Sequence, residues 1–334
     1  MIHLALLGAG FMGRVHANAY AALPAIQVVA VVNGDSAAAQ GVAGPFGART
    51  YPDLESMLAG EPYLDVVDCC LPTPLHRRMV ETVATHGRHV ICEKPMALTY
   101  EDGRAMIDCC RQAGVHLLMG QVLRFFPGYQ RIVAAVREGR IGTPVTCTLL
   151  RQGFYPAGRR SWFRDDSQSG GVLLDMMIHD YDWALQLFGP AQRVYAKLVH
   201  HTGERLFTQG TVTIRHHSGV ITQATGTWGH PGPFTTACEI AGTGGLLRFH
   251  SDDANPLRML TPPQPPGAEA VPLPDLSVGE DPFRLELAHF MEVIAGRAAP
   301  LVEPEQSLDA LVVALAALQS AASGRAITLE EVVA

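Results

Sequence analysis

The sequence predicts an α/β protein. A doubly wound parallel sheet comes first, and successive strands that most simply form an antiparallel sheet follow. Three observations carry this reading. Short apolar runs alternate with helical patterns as far as about Gln121, and a glycine-rich turn joins the first run to the first helix. Past that point strand-like segments succeed one another with turn signals and no helices between them. Apolar strands separated by helices belong to a sheet covered on both faces, whereas consecutive strands joined by turns pair antiparallel. At 334 residues the chain exceeds the size at which one core usually divides. The change of pattern sets the domains at 1–121 and 122–334.

Taken in order, His3–Leu7, Gln27–Val32, Asp65–Cys70, His89–Cys92 and His116–Met119 read as strands. The helical patterns between them fall near Gly13–Ala22, Ser36–Ala43, Leu75–His86 and Tyr100–Ala113. A helix near Gly128–Glu138 and a strand at Pro144–Gly153 open the second domain. A loop with Tyr155, Arg159, Arg160, Trp162 and Arg164 comes next, and then a helix through Asp175–Leu187. Ala191–His250 reads as successive strands, with turns at His217-Ser218-Gly219 and Gly242-Thr243-Gly244-Gly245. Seven prolines between Pro256 and Pro274 make that stretch irregular and extended. Helices near Pro282–Ala295 and Pro304–Ser323 close the chain.

Composition narrows the function. Hydrophobic residues at 48% and charged residues at 17% suit a packed core and argue against disorder. A net charge of −7 offers no basic footprint, which excludes nucleic acid as an expected partner. No run approaches the roughly 18 apolar residues of a membrane span. The apolar start, Met1–Leu7, lacks a basic flank and leads directly into the glycine turn, so it reads as a strand in a cytoplasmic protein. The seven cysteines include the neighbours Cys69-Cys70 and Cys109-Cys110 but no C-x-x-C pair. Reduced thiols and no metal are the expectation.

Gly8-Ala9-Gly10-Phe11-Met12-Gly13 follows a strand and opens a helix, the context a dinucleotide-binding G-x-G-x-x-G requires. The helix amino terminus offers N–H groups to a pyrophosphate. The ribose-binding position at the end of the second strand carries Asn33-Gly34-Asp35, with no Arg or Lys beside it to hold a 2′-phosphate. NAD is therefore expected, with NADP as the alternative. Leu71-Pro72-Thr73-Pro74-Leu75-His76 lies at a strand's carboxyl end, where ligands of such sheets bind, with Thr73 expected to cap the helix that follows. Glu93-Lys94-Pro95 ends the next strand, and Lys94 would polarise a reacting C–O group. Gln121 follows the last strand of the domain, and with Leu71, Thr73, Pro74, His76, Glu93 and Lys94 it is an expected cofactor contact. Asp175 and His179, four apart, would share one helical face as a carboxylate–imidazole pair. Arg124, Tyr155 and Trp162, with Lys94, Asp175 and His179, are the expected substrate contacts.

These segments together resemble the Gfo/Idh/MocA family of NAD(P)-dependent oxidoreductases, which includes glucose–fructose oxidoreductase and inositol dehydrogenases. The resemblance spans nearly the whole chain. It rests on the glycine motif with His16 after it, Pro72-Thr73-Pro74-Leu75-His76, Glu93-Lys94-Pro95, Arg124-Phe125, Gly139-Arg140-Ile141-Gly142, Trp162, and Gly170 through Asp180. The tail segments Leu285–Gly296 and Ser307–Thr328 follow the family's closing helices. It implies a Rossmann domain followed by an α/β domain with a large, open, mainly antiparallel sheet, Lys94 as the active-site lysine, and Asp175 with His179 as a proton relay. Sugar or cyclitol substrates and a homodimer or homotetramer are implied as well. Asn33 departs from the aspartate common in NAD-preferring members. Two other classes remain open from the residues alone: a glycosidase that recycles its nicotinamide internally, and a non-catalytic dinucleotide sensor.

Overall fold

The computed structural model describes residues 1–156, 162–202, 206–252 and 280–334. Arg159, Arg160 and the proline-rich stretch Pro256–Pro274 lie outside the described residues. The chain forms two compact units: residues 1–125 with 280–308, and residues 126–279 with 309–334. The first unit is therefore not a single stretch of sequence, because a segment near the chain's end returns to it.

In the first unit, six parallel strands run in the order β3-β2-β1-β4-β5-β6. They are β1 (Ile2–Leu7), β2 (Ile26–Val32), β3 (Arg49–Tyr51), β4 (Val66–Cys69), β5 (His89–Glu93) and β6 (Leu117–Gly120). Order reverses at β1/β4, the switch point at which doubly wound sheets bind ligands. Helices α1 (Phe11–Ala21), α2 (Ser36–Ala43), α3 (Leu54–Gly60), α4 (His76–Thr85) and α5 (Tyr100–Ala113) connect them. The strand β3 and helix α3 escape sequence reading. Arg49-Thr50-Tyr51 has no apolar run because it pairs only with β2 at the sheet's edge.

The second unit contains α6 (Pro127–Arg137), β7 (Pro144–Gly153), the short α7 (Asp166–Ser169), a π-helical turn at Val172–Met176 and α8 (Ile178–Phe188). Next come β8 (Ala191–Thr202), β9 (Leu206–His216), β10 (Ile221–Trp228), β11 (Thr235–Gly242) and β12 (Gly245–His250). Helix α9 (Pro282–Ile294) belongs to the first unit. The unit division falls inside α10 (Pro304–Ser323), and β13 (Ile327–Thr328) adds a last edge strand to the second unit.

The seven-stranded sheet runs β12-β11-β7-β10-β9-β8-β13. Its pairs are antiparallel except β7 with β10, which is parallel, so the sheet is mixed and mostly antiparallel. One face is buried: Val194, Ala196, Val212, Ile214 and Ala224 are fully covered. On that face Gly210 of β9 lies opposite Gly226 of β10. A Cβ on Gly210 would stand 2.4 Å from Leu173, and one on Gly226 would stand 2.4 Å from Met177. The paired glycines thus open the hollow into which the π-turn packs. Among the described residues no helix is long and apolar enough to cross a membrane.

Candidate active site

The glycine turn is held by contacts within the first unit. The Gly8 amide donates to Val32 O at 2.9 Å. A Cβ on Gly8, whose φ is +106°, would meet Cys70 O at 2.5 Å, and one on Gly13 would meet Gly8 O at 2.0 Å. Gly10 is different. It is exposed, and a Cβ there would meet nothing within 4 Å. No side chain caps the start of α1, where Phe11 and Met12 stand half-buried. Asn33 ties the turn to β2: its Oδ1 accepts the Ala9 amide at 3.3 Å, and its Nδ2 donates to Asp35 O at 3.1 Å. The Asp35 carboxylate caps α2, with Oδ1 accepting the amides of Ala37 and Ala38 at 3.0 and 3.1 Å.

The second group lines the carboxyl ends of β4, β5 and β6. Thr73 does not cap a helix as expected. A 3₁₀ turn at Thr73–Leu75 intervenes before α4, and the Thr73 hydroxyl is buried without a protein partner. Gln121 Oε1 is buried and unpartnered as well. His76 is fully buried, with Nε2 2.8 Å from Leu71 O and Nδ1 3.0 Å from Pro95 O, so it ties the two strand-end loops together. Burial pushes its pKa below the usual histidine value. The Lys94–Pro95 bond is cis, and Lys94 is half-buried.

Beneath Lys94 lies a buried polar network. Glu93 Oε2 accepts the Lys94 amide at 3.1 Å, and Glu93 Oε1 lies 3.1 Å from His16 Nε2. His16 Nδ1 lies 2.7 Å from Asp68 Oδ2, which also accepts the Tyr20 hydroxyl at 2.7 Å. Sequence reading noted His16 only through the family pattern and missed Asp68 and Tyr20. The signal was present in Val66-Val67-Asp68-Cys69, a carboxylate inside an otherwise apolar strand. Arg124 is 5% exposed and donates to Gln306 Oε1 at 3.0 Å and, at 3.4 Å, to Leu301 O.

Two groups of potential metal ligands lie close together, Cys69–His76–Cys92 and His16–Asp68–Cys70. The imidazole nitrogens of both face oxygens within hydrogen-bonding distance. All seven cysteines carry free thiols.

In the second unit, Asp175 and His179 do not lie on one regular α-helix. Asp175 is in the π-turn and is 7% exposed, whereas His179 is half-buried in the first turn of α8. The junction between them is anchored by Arg151 of β7. Its guanidinium grips Asp180 through two bonds of 2.7 and 2.8 Å, with both side chains about 5% exposed or less. Tyr155 and Trp162 join an aromatic cluster that the sequence did not suggest. Tyr155 and Phe163 each meet the Trp228 ring edgewise, at 5.7 and 6.2 Å, and Trp162 stacks on Phe163 at 4.2 Å.

The first unit fits a dinucleotide on its own chemistry. Gly10 keeps open a space that no protein atom needs, α1 begins without a side-chain cap, and Thr73 and Gln121 present buried polar atoms without protein partners. The fold and these residues define a dinucleotide-binding domain. Residues 2–121 match the oxidoreductase family with an NAD-binding Rossmann fold, and residues 129–248 match the Gfo/Idh/MocA C-terminal domain. The chain belongs to the Gfo/Idh/MocA family and is an NAD(P)-dependent oxidoreductase. It is 30% identical over 283 residues to 1,5-anhydro-D-fructose reductase of Ensifer adhaerens, covering 82% of each chain. It is 29% identical over 340 residues to D-apiose dehydrogenase of Paraburkholderia graminis, covering 98% of this chain and 89% of that one. A myo-inositol dehydrogenase from Corynebacterium glutamicum superposes with a TM-score of 0.83 at 25% identity, over 98% of this chain and 99% of that one.

Proposed function

We propose that the protein oxidises a secondary hydroxyl of a sugar, cyclitol or related derivative, or reduces the corresponding carbonyl. The observation that carries this reading is Lys94, half-buried at the carboxyl end of β5 with its backbone amide held by Glu93, inside the Glu-Lys-Pro pattern of the family. The substrate class is that named for the relatives, an anhydro-fructose, apiose and inositol. NAD(P), which the glycine turn and the start of α1 would hold together with Thr73 and Gln121, would supply the hydride acceptor or donor. The Lys94 ammonium stabilises the developing alkoxide, His179 takes up the hydroxyl proton, and Asp175 orients the imidazole and a substrate hydroxyl. Tyr155 and Trp162 offer aromatic faces of the kind that pack against sugar rings. The lack of a cation at positions 33–36 to hold a 2′-phosphate supports NAD over NADP.

Two further readings belong here. A homodimer or homotetramer is supported by the second sheet's outer face, where Tyr195, Val199 and Ile221 are 40%, 60% and 38% exposed. The free thiols suit a reducing, cytoplasmic compartment.

The test is nicotinamide absorbance with purified protein, NAD or NADP, and a panel of inositols, aldoses, anhydro sugars and sugar acids. Reduction of NAD with one substrate class is expected. Replacing Lys94 by Ala should lower kcat by about a thousandfold or more, with NADH affinity by fluorescence within about threefold. Undiminished turnover in that variant removes the reading. Release of a sugar without net change in absorbance would point to the glycosidase, and tight cofactor binding without any turnover would point to the sensor.

A further inference from the structure

We propose that His16 is a positioning residue for Lys94: a doubly donating imidazole, gripped between Asp68 and Glu93, that through Glu93 fixes the backbone from which Lys94 projects. This inference rests on the assignment of Lys94 to the reacting oxygen.

The ring is completely buried, and each of its nitrogens faces a carboxylate oxygen, Asp68 at 2.7 Å and Glu93 at 3.1 Å. Ionised carboxylates only accept, so the imidazole supplies both protons and carries a positive charge. Glu93 has its second oxygen on the Lys94 amide at 3.1 Å. Asp68 is secured on its far side by the Tyr20 hydroxyl at 2.7 Å, and the Cys70 thiol lies 3.6 Å from its other oxygen. An unbroken run of hydrogen bonds therefore leads from Tyr20 through Asp68, His16 and Glu93 to the backbone of Lys94.

Each packed element contributes to the surroundings. On β4 and its end are Asp68 and Cys70, on β5 Glu93, on α1 Tyr20, and on α9 the Phe283 ring 6.2 Å away. Glu286 of α9 acts on Tyr20. Burial opposes charge on His16, but attraction and a hydrogen bond from Asp68 outweigh it and hold the imidazole well above its usual pKa.

The arrangement is costly for a merely structural purpose, because apolar side chains fill such a volume without the desolvation of three ionised groups. Its geometry explains what it provides. With one cation between two anions, Glu93 cannot swing toward solvent without abandoning an unpaired buried imidazolium, so the Lys94 amide keeps its acceptor. Space is also restricted on the other side of Glu93, where a Cβ on Gly120 would lie 3.3 Å from Oε1.

The test uses the full chain labelled with ¹⁵N-histidine, the His16 signals being assigned by their loss in His16→Gln. Two ring N–H resonances should persist from about pH 6 to about pH 9, where an ordinary histidine becomes neutral. Glu93→Gln keeps an acceptor for the Lys94 amide but turns an amide donor toward Nε2, which should leave His16 neutral with a single N–H. That variant should lose roughly tenfold in kcat, while KM and NADH affinity stay within about threefold. A single N–H at neutral pH in the unaltered protein overturns the proposal. Wild-type kcat in Glu93→Gln does the same, as does a loss spread equally over kcat, KM and cofactor affinity. If His16→Gln fails to fold, the Glu93→Gln spectrum supplies the assignment. The spectroscopic result stands whether or not Lys94→Ala retains turnover, so failure of this inference and failure of the proposed function are separable.

Discussion

Gly8, Gly10 and Gly13 look alike in the sequence but answer to different forces. At Gly8 and Gly13 any side chain would strike backbone oxygen, 2.5 and 2.0 Å from the added carbon, so those glycines belong to the fold. At Gly10 the protein leaves room and nothing of its own fills it. Gly10→Ala should therefore melt within about 1 kcal/mol of the parent, the ordinary difference between those residues at a helix start. It should also weaken NADH binding by roughly tenfold or more, because the pyrophosphate approaches the backbone there. Gly8→Ala should instead lower the melting temperature of the unit itself. Thermal melts and fluorescence titration of both variants check the contrast, and equal behaviour of the two would defeat it. His76 teaches a related lesson. The sequence placed it among cofactor contacts, whereas its ring is spent on joining the Leu71 and Pro95 loops. The motif was legible, but the direction of the ring was not, because that depends on backbone from another strand end.

At the scale of elements, the passage from Gly170 to Phe188 shows where periodicity misleads. A four-residue spacing between Asp175 and His179 implies one α-helical face. The chain widens into a π-turn there, a form often found at functional sites. The widening follows from packing: Leu173 and Met177 enter the hollow left by Gly210 and Gly226, and Arg151 pins Asp180 one residue past His179. None of those partners is near in sequence. Removing the guanidinium would strand a buried carboxylate. Arg151→Leu should thus cost about 3–5 kcal/mol, and the double variant with Asp180→Leu should recover much of it. Urea unfolding followed by tryptophan fluorescence measures this in the right place, since Trp162, Trp183 and Trp228 all belong to the second unit. A cost under about 1 kcal/mol for the single variant would show that the ion pair does not hold the junction.

For the whole molecule, the sheet alternation on β8 and β10 leaves apolar side chains exposed on one face, and the proposed homo-oligomer would bury them. Tyr195, Val199 and Ile221 face outward, while Val194, Ala196, Thr222 and Ala224 are covered. Light scattering after gel filtration should give a mass of two or four chains, and Val199→Glu with Ile221→Glu should shift it toward one; a monomer in the unaltered protein would remove that reading. The sequence by itself determined the alternation of parallel strands and helices apart from β3 and α3, the glycine turn, the position of Lys94 and the change to a second sheet. Each of these follows from local pattern: continuous apolar strands, turn chemistry and motif spacing. Only the tertiary structure decided that 280–308 rejoins the first unit, that β7 pairs in parallel with β10, that the helix before His179 opens into a π-turn, and that His16 lies between Asp68 and Glu93. Those features depend on contacts between residues tens to hundreds of positions apart, where burial and charge pairing act on side chains that no local pattern brings together.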